Sequence, residues 1–127
     1  MLILRGIRYL LHEAPAIAYA EREGYTPEVL DTSGETGKGA PQVDAALARI
    51  AQGGVTAIYG FSGGGYNAGH LFARLTTTQR ADIERVVVLG APGVRADQFP
   101  GVPLVTIWND STVAHMDMPD AFLIATA

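Results

Sequence analysis

The run Val55-Thr56-Ala57-Ile58-Tyr59 leads directly into Gly60-Phe61-Ser62-Gly63-Gly64, and then into a stretch that places Ala68, Leu71, Phe72 and Leu75 at i, i+3, i+4 and i+7. The first run has the β-branched and aromatic character of a strand, and the second has the spacing of one helical face. The chain must therefore turn from strand to helix within a few residues. Glycines two positions to either side of Ser62 let strand and helix pass without Cβ clashes. A tight strand-to-helix joint in an alternating chain points to a parallel sheet clothed by helices.

The rest of the sequence repeats that alternation. Residues 1 to about 7 read as a strand. A helix is predicted from about 14 to 23, with Pro15 in its first turn and Gly24 at its end. A short strand at 27–30 precedes a Gly-rich loop over 31–40. The next helix begins at Pro41, presents Val43, Ala46, Leu47 and Ile50 on one face, and stops at Gln52-Gly53-Gly54. Arg85-Val86-Val87-Val88-Leu89 and Leu104-Val105-Thr106-Ile107-Trp108 read as strands, the first closed by Gly90-Ala91-Pro92-Gly93. Residues 94–102 show no full helix, and a last short helix is expected near Pro119. The near-continuous apolar runs of the third and fourth strands suit positions buried on both faces. The expected fold is α/β: a three-layer α/β/α sandwich around a mostly parallel five-stranded sheet. Its favoured strand order is 2-1-3-4-5, the flavodoxin-like order. The 127 residues contain no repeat and no linker, so residues 1–127 are expected to form a single domain.

Composition removes several classes of function. There is no cysteine, which excludes a disulfide framework, a thiolate nucleophile and a Cys-ligated zinc. A net charge of −4 without any basic run argues against nucleic-acid binding. No apolar stretch approaches the ~20 residues of a membrane span. Arg5 and Arg8 lie inside the apolar N-terminal run, whereas a secretory leader carries its charge ahead of it. A cytoplasmic protein is the expectation. Gly34-Glu35-Thr36-Gly37-Lys38-Gly39 fails the phosphate-loop spacing, because Thr32 and Gly39 stand where Gly and Ser/Thr are required. That loop is either a site rim, with Asp31, Thr32 and Lys38 near a substrate, or a solvated surface loop. His115-Met116-Asp117 is too sparse for a metal site, and neither metal nor cofactor is implied.

Ser62, on its turn, is the candidate nucleophile. The helix behind it supplies N–H groups without intrahelical acceptors, so the Gly63 N–H can hold an oxyanion. The opposing reading is a Gly-rich turn that binds an anion or only redirects the chain. A catalytic serine needs a base and an acid to orient it. His70 lies eight residues into the helix, on the side away from its apolar face, and reads as a surface histidine. His12 precedes the first helix and reads as a helix-entry residue. Asp110 and His115 follow the fifth strand, at the sheet edge where ligands gather, and Ser, Asp, His is the chain order of a nucleophile elbow on an open α/β sheet. Asp97 is the runner-up acid, with Asp117 and Asp120 expected at the surface or as helix caps. Phe61 and Tyr66 either line the pocket or pack the turn.

These stretches resemble the α/β-hydrolase superfamily, in particular its small lidless, cutinase-like esterases, over nearly the whole chain. Tyr59-Gly60-Phe61-Ser62-Gly63-Gly64-Gly65 is similar to the family's elbow. Residues 86–93 are similar to its next strand and Gly-x-Pro exit, and Ile107-Trp108-Asn109-Asp110 to the strand and turn that present the acid. Leu2-Ile3-Leu4-Arg5-Gly6-Ile7 resembles the strand whose following loop gives an oxyanion donor. Arg5 stands where the family usually has His. The resemblance implies a second donor at the Ile7 or Arg8 N–H, and a minimal α/β-hydrolase acting on a small-molecule or acyl substrate through Ser62, His115 and Asp110. Esterase, thioesterase and peptidase chemistry share that triad, and the sequence does not fix the oligomeric state. Only five residues separate Asp110 from His115, where the family has a longer connection. The competing reading is a non-catalytic flavodoxin-like binding or interaction protein that keeps the elbow as a turn.

Overall fold

The computed structural model of the protein describes residues 1–7 and 13–127. It is an α/β protein with a five-stranded, all-parallel sheet in the order β2-β1-β3-β4-β5. The strands are β1 (Leu2–Leu4), β2 (Glu28–Val29), β3 (Ala57–Phe61), β4 (Arg85–Leu89) and β5 (Leu104–Trp108). The helices are α1 (Glu13–Arg22), α2 (Pro41–Ala51), α3 (Gly63–Arg74), α4 (Thr77–Ala81) and α5 (Met118–Ala125). No helix among the described residues is long and apolar enough to cross a membrane.

Alternate strand residues divide between two cores, as the two-residue period of a strand requires. Leu2, Leu4, Ile58, Val86 and Val88 face α2 and α3, where they meet Val43, Ala46, Leu71 and Phe72. Ile3, Tyr59, Phe61, Val87 and Leu89 face α1 and α5, where they meet Ala16, Tyr19, Ala20 and Phe122. The sheet thus lies between two helical layers. β3 and β4 are buried almost throughout, whereas β5 at the edge is mostly half-exposed.

Two strands and one helix differ most from the sequence expectation. β1 is three residues rather than seven, because it pairs only Leu2, Ile3 and Leu4 with β3 before the chain leaves the sheet at Arg5. β3 starts at Ala57 rather than Val55 and runs on through Gly60 and Phe61, whose partners are Val88 and Leu89. α4 was not expected; a capping box of Thr76 and Gln79 starts it just beyond α3. Between β4 and β5 there is one 3-10 turn at Ala96–Gln98, in keeping with the expected lack of a full helix.

Candidate functional site

Ser62 occupies the joint between β3 and α3 with φ 55° and ψ −118°, and it is the non-glycine residue with positive φ among the described residues. Such a conformation costs on the order of 1–3 kcal/mol and persists only where its surroundings enforce it. Here they do. The Ser62 N–H donates to Leu89 O at 2.8 Å, which holds the joint to the end of β4. A Cβ on Gly60 would lie 2.5 Å from Gly64 O, and one on Gly64 would run into Leu4 O. A Cβ on Gly63 would run into Gly34 O, and one on Gly65 would sit 2.8 Å from Ala91 Cβ. Strand, helix and neighbouring loop meet at backbone distance, so side chains are excluded at Gly60, Gly63, Gly64 and Gly65.

His115 stands over this turn, with Nε2 2.9 Å from Ser62 Oγ. It lies on a 3-10 turn, His115–Asp117, that leads into α5, and α5 is anchored by buried Met118 and Phe122. Its ring stacks on Phe61, with centroids 5.0 Å apart and planes at 27°. Gly90, at φ 63°, opens a notch for the same ring: a Cβ there would come 2.9 Å from His115 Cε1 and 3.2 Å from Nδ1. Stacking and the notch fix the imidazole from two sides.

Asp110 is engaged elsewhere. Its Oδ1 accepts from Thr112 Oγ1 at 2.6 Å and from the Thr112 N–H at 2.9 Å. The hydroxyl bond first, and the backbone bond after it, hold its carboxyl below the usual carboxylate range. No hydrogen bond joins Asp110 to His115, although their sequence order suggested one. An aspartate followed two residues later by threonine closes its own turn, and that local bond competes with the longer reach.

The other expected residues are distributed as follows. Gly63 is buried at the start of α3, where N–H groups lack intrahelical acceptors. Ile7 is exposed and follows Gly6, on which a Cβ would lie 3.2 Å from Ser62 Cβ. Arg8 and His12 lie outside the described residues. Arg5, in the position where a histidine was expected by resemblance, pairs with Glu13 at 2.6 Å and Asp31 at 3.0 Å, tying the exit of β1 to α1 and to the loop after β2. Asp97 is exposed and pairs with Arg95, and Asp117 and Asp120 are exposed. The Tyr66 hydroxyl donates to Pro92 O at 2.8 Å, bracing the loop after β4 against α3. Among the described residues no group of three His, Asp or Glu side chains is disposed to hold a metal ion.

Two residues near the site were not singled out by sequence reasoning. Gln42 and Asn67 are fully buried and hydrogen-bonded to each other. The available signal was a polar side chain on an apolar face: Gln42 precedes Ala46 by four residues, and Asn67 precedes Leu71 by four. No protein-family model matches the chain, and no curated protein matches it.

Proposed function

We propose that the chain is a serine hydrolase of the α/β-hydrolase type, cleaving an ester or related acyl bond at Ser62 with His115 as the base. The observation that carries this reading is the 2.9 Å contact between His115 Nε2 and the Oγ of a serine held at positive φ. The contact is within the reach required of a nucleophile and its general base.

In this reading, Ser62 Oγ attacks the acyl carbon while its proton passes to His115 Nε2. The carbonyl oxygen becomes an oxyanion held by the Gly63 N–H, with the Ile7 N–H as the second candidate donor. His115 then gives the proton to the leaving oxygen, which departs as an alcohol. A water repeats the sequence in reverse and releases the acid. Phe61 and the Gly90 notch orient the imidazole. Asp110 enters the relay only if its carboxylate leaves Thr112. That engagement is also the observation that favours the rival, non-catalytic binding protein.

A fluorophosphonate probe separates the two readings without knowledge of the substrate. The expected result is covalent labelling mapped to Ser62 and lost in Ser62→Ala, together with a fall in p-nitrophenyl ester turnover of more than about 10³-fold. A folded wild-type protein that resists the probe refutes the hydrolase reading.

A further inference from the structure

Gln42 and Asn67 form a closed amide pair behind the serine turn. Gln42 Nε2 donates to Arg5 O and to Thr32 O, both at 3.0 Å. Asn67 Nδ2 donates to Gln42 Oε1 at 2.8 Å and to Glu35 O at 2.9 Å, and Asn67 Oδ1 accepts from the Gly37 N–H at 3.2 Å. Both amide nitrogens use both of their hydrogens, and both amide oxygens are occupied. Two neutral side chains, both fully buried, thereby bind four backbone groups on two chain segments.

What they hold is the wall of the reacting centre. Arg5 O is the last carbonyl before Gly6, and Gly6 packs directly on Ser62. Thr32 and Glu35 bracket Gly34, whose carbonyl presses on Gly63 and whose N–H points to Gly6 O at 3.4 Å. Asn67 sits on α3, one turn beyond the serine. The pair therefore sets the separation between the helix that carries Ser62 and Gly63 and the two chain segments facing them.

We propose that Gln42 and Asn67 are positioning residues for acyl transfer, fixing the Arg5–Gly6 exit of β1 and the 31–39 loop against the Ser62–Gly63 turn where the oxyanion forms. The inference rests on Ser62 being the nucleophile. It gives the Gly-rich loop the part of a fixed wall, in place of a substrate-touching rim or a solvated surface loop. An error of about 1 Å in such a wall costs on the order of 100-fold in rate, and it falls on the transition state more than on ground-state binding.

The test is Gln42→Met and Asn67→Ser, singly and together, with kcat and KM on a p-nitrophenyl ester, the rate of fluorophosphonate labelling, and a circular-dichroism melt. The expected result is folded variants whose kcat falls about 10- to 100-fold while KM stays within about twofold. Labelling should slow in step, and the double variant should lose little more than the worse single one, since the pair acts as a unit. Folded variants with wild-type kcat, or with a loss confined to KM, overturn the proposal. Should a variant fail to fold, the wild-type protein supplies a second measurement. The side-chain amide NMR signals of Gln42 and Asn67 should exchange slowly and move when Ser62 is phosphonylated; signals that do not move overturn it. A wild-type protein that does not label at all fails the nucleophile reading and this inference with it, whereas equal labelling of wild type and variants fails this inference alone.

Discussion

Gly90→Ala isolates the placement of His115, the proposed base. Gly90 has φ 63°, so any Cβ there carries the left-handed penalty of about 1–2 kcal/mol. In addition, the new methyl would lie 2.9 Å from His115 Cε1 and 3.2 Å from both His115 Nδ1 and Met118 Sδ. Carbon atoms rest about 3.5–4.0 Å apart at their optimum, so the ring must retreat by several tenths of an ångström. It is already held on another side by Phe61 at 5.0 Å. The retreat lengthens the 2.9 Å bond to Ser62 Oγ. Gly93→Ala is the matched control: Gly93 has φ 95°, and a Cβ there meets nothing within 4 Å. The backbone penalty alone should cost both variants about 1–2 kcal/mol, or about 3–6 °C in melting temperature, and the clash makes Gly90→Ala the less stable of the two. Only Gly90→Ala should also lose activity, by about 10- to 100-fold in kcat on a p-nitrophenyl ester. Equal activities in the two variants would refute the argument that the Gly90 notch seats the base.

The remaining predictions concern charge. Asp110→Asn should lower kcat by less than about tenfold, because the carboxylate bonds Thr112 rather than His115; a loss near 10⁴-fold would return Asp110 to the proton relay. Thr112→Val removes the larger of the two causes that depress the Asp110 carboxyl, so its NMR titration should move up towards the usual range. Tyr25 is pushed up to about 12, by desolvation first and then by its 2.7 Å hydrogen bond to Glu84. A raised phenol stabilises the fold fully below its unfolded ionisation near about pH 10. That contribution fades as pH climbs through about 12. Glu84→Ala should bring the Tyr25 ionisation down in an ultraviolet titration, and an unmoved midpoint would refute the role of the hydrogen bond.

The fold was legible because its signals are local and mutually consistent. Three valines in β4 and the strand-glycine-helix joint at Ser62 admit few arrangements, and the right-handed crossover rule removes most of those. The ends of strands were less legible, because pairing partners rather than composition decide them. Val55 has the residue type of a strand but lies two residues before the first β3–β4 pair, Ala57 with Arg85. Conversely, Gly60 has poor strand propensity and is nonetheless paired with Val88, since glycine is required there for the approach of Gly64.

The candidate site divides along the same line. The spacing of Ser62 and His115 can be read from the chain because both lie at the C-terminal edge of the sheet, one on the joint after β3 and one beyond β5. The acid could not be fixed from spacing, since Asp110 has a nearer partner two residues away and a local bond requires no loop closure. The amide pair depends on distance in the opposite sense. Gln42 and Asn67 are 25 residues apart, and the carbonyls they bind lie on segments from Arg5 to Glu35. Each alone reads as an ordinary polar helix residue. Burial converts them into a necessity, because an amide with no water available must bond every hydrogen it carries or cost about 1–3 kcal/mol for each group left bare. Three backbone carbonyls, of Arg5, Thr32 and Glu35, together with the bond between the two amides satisfy that demand. The requirement that stabilises the pair is therefore the same one that fixes the wall of the proposed reacting centre.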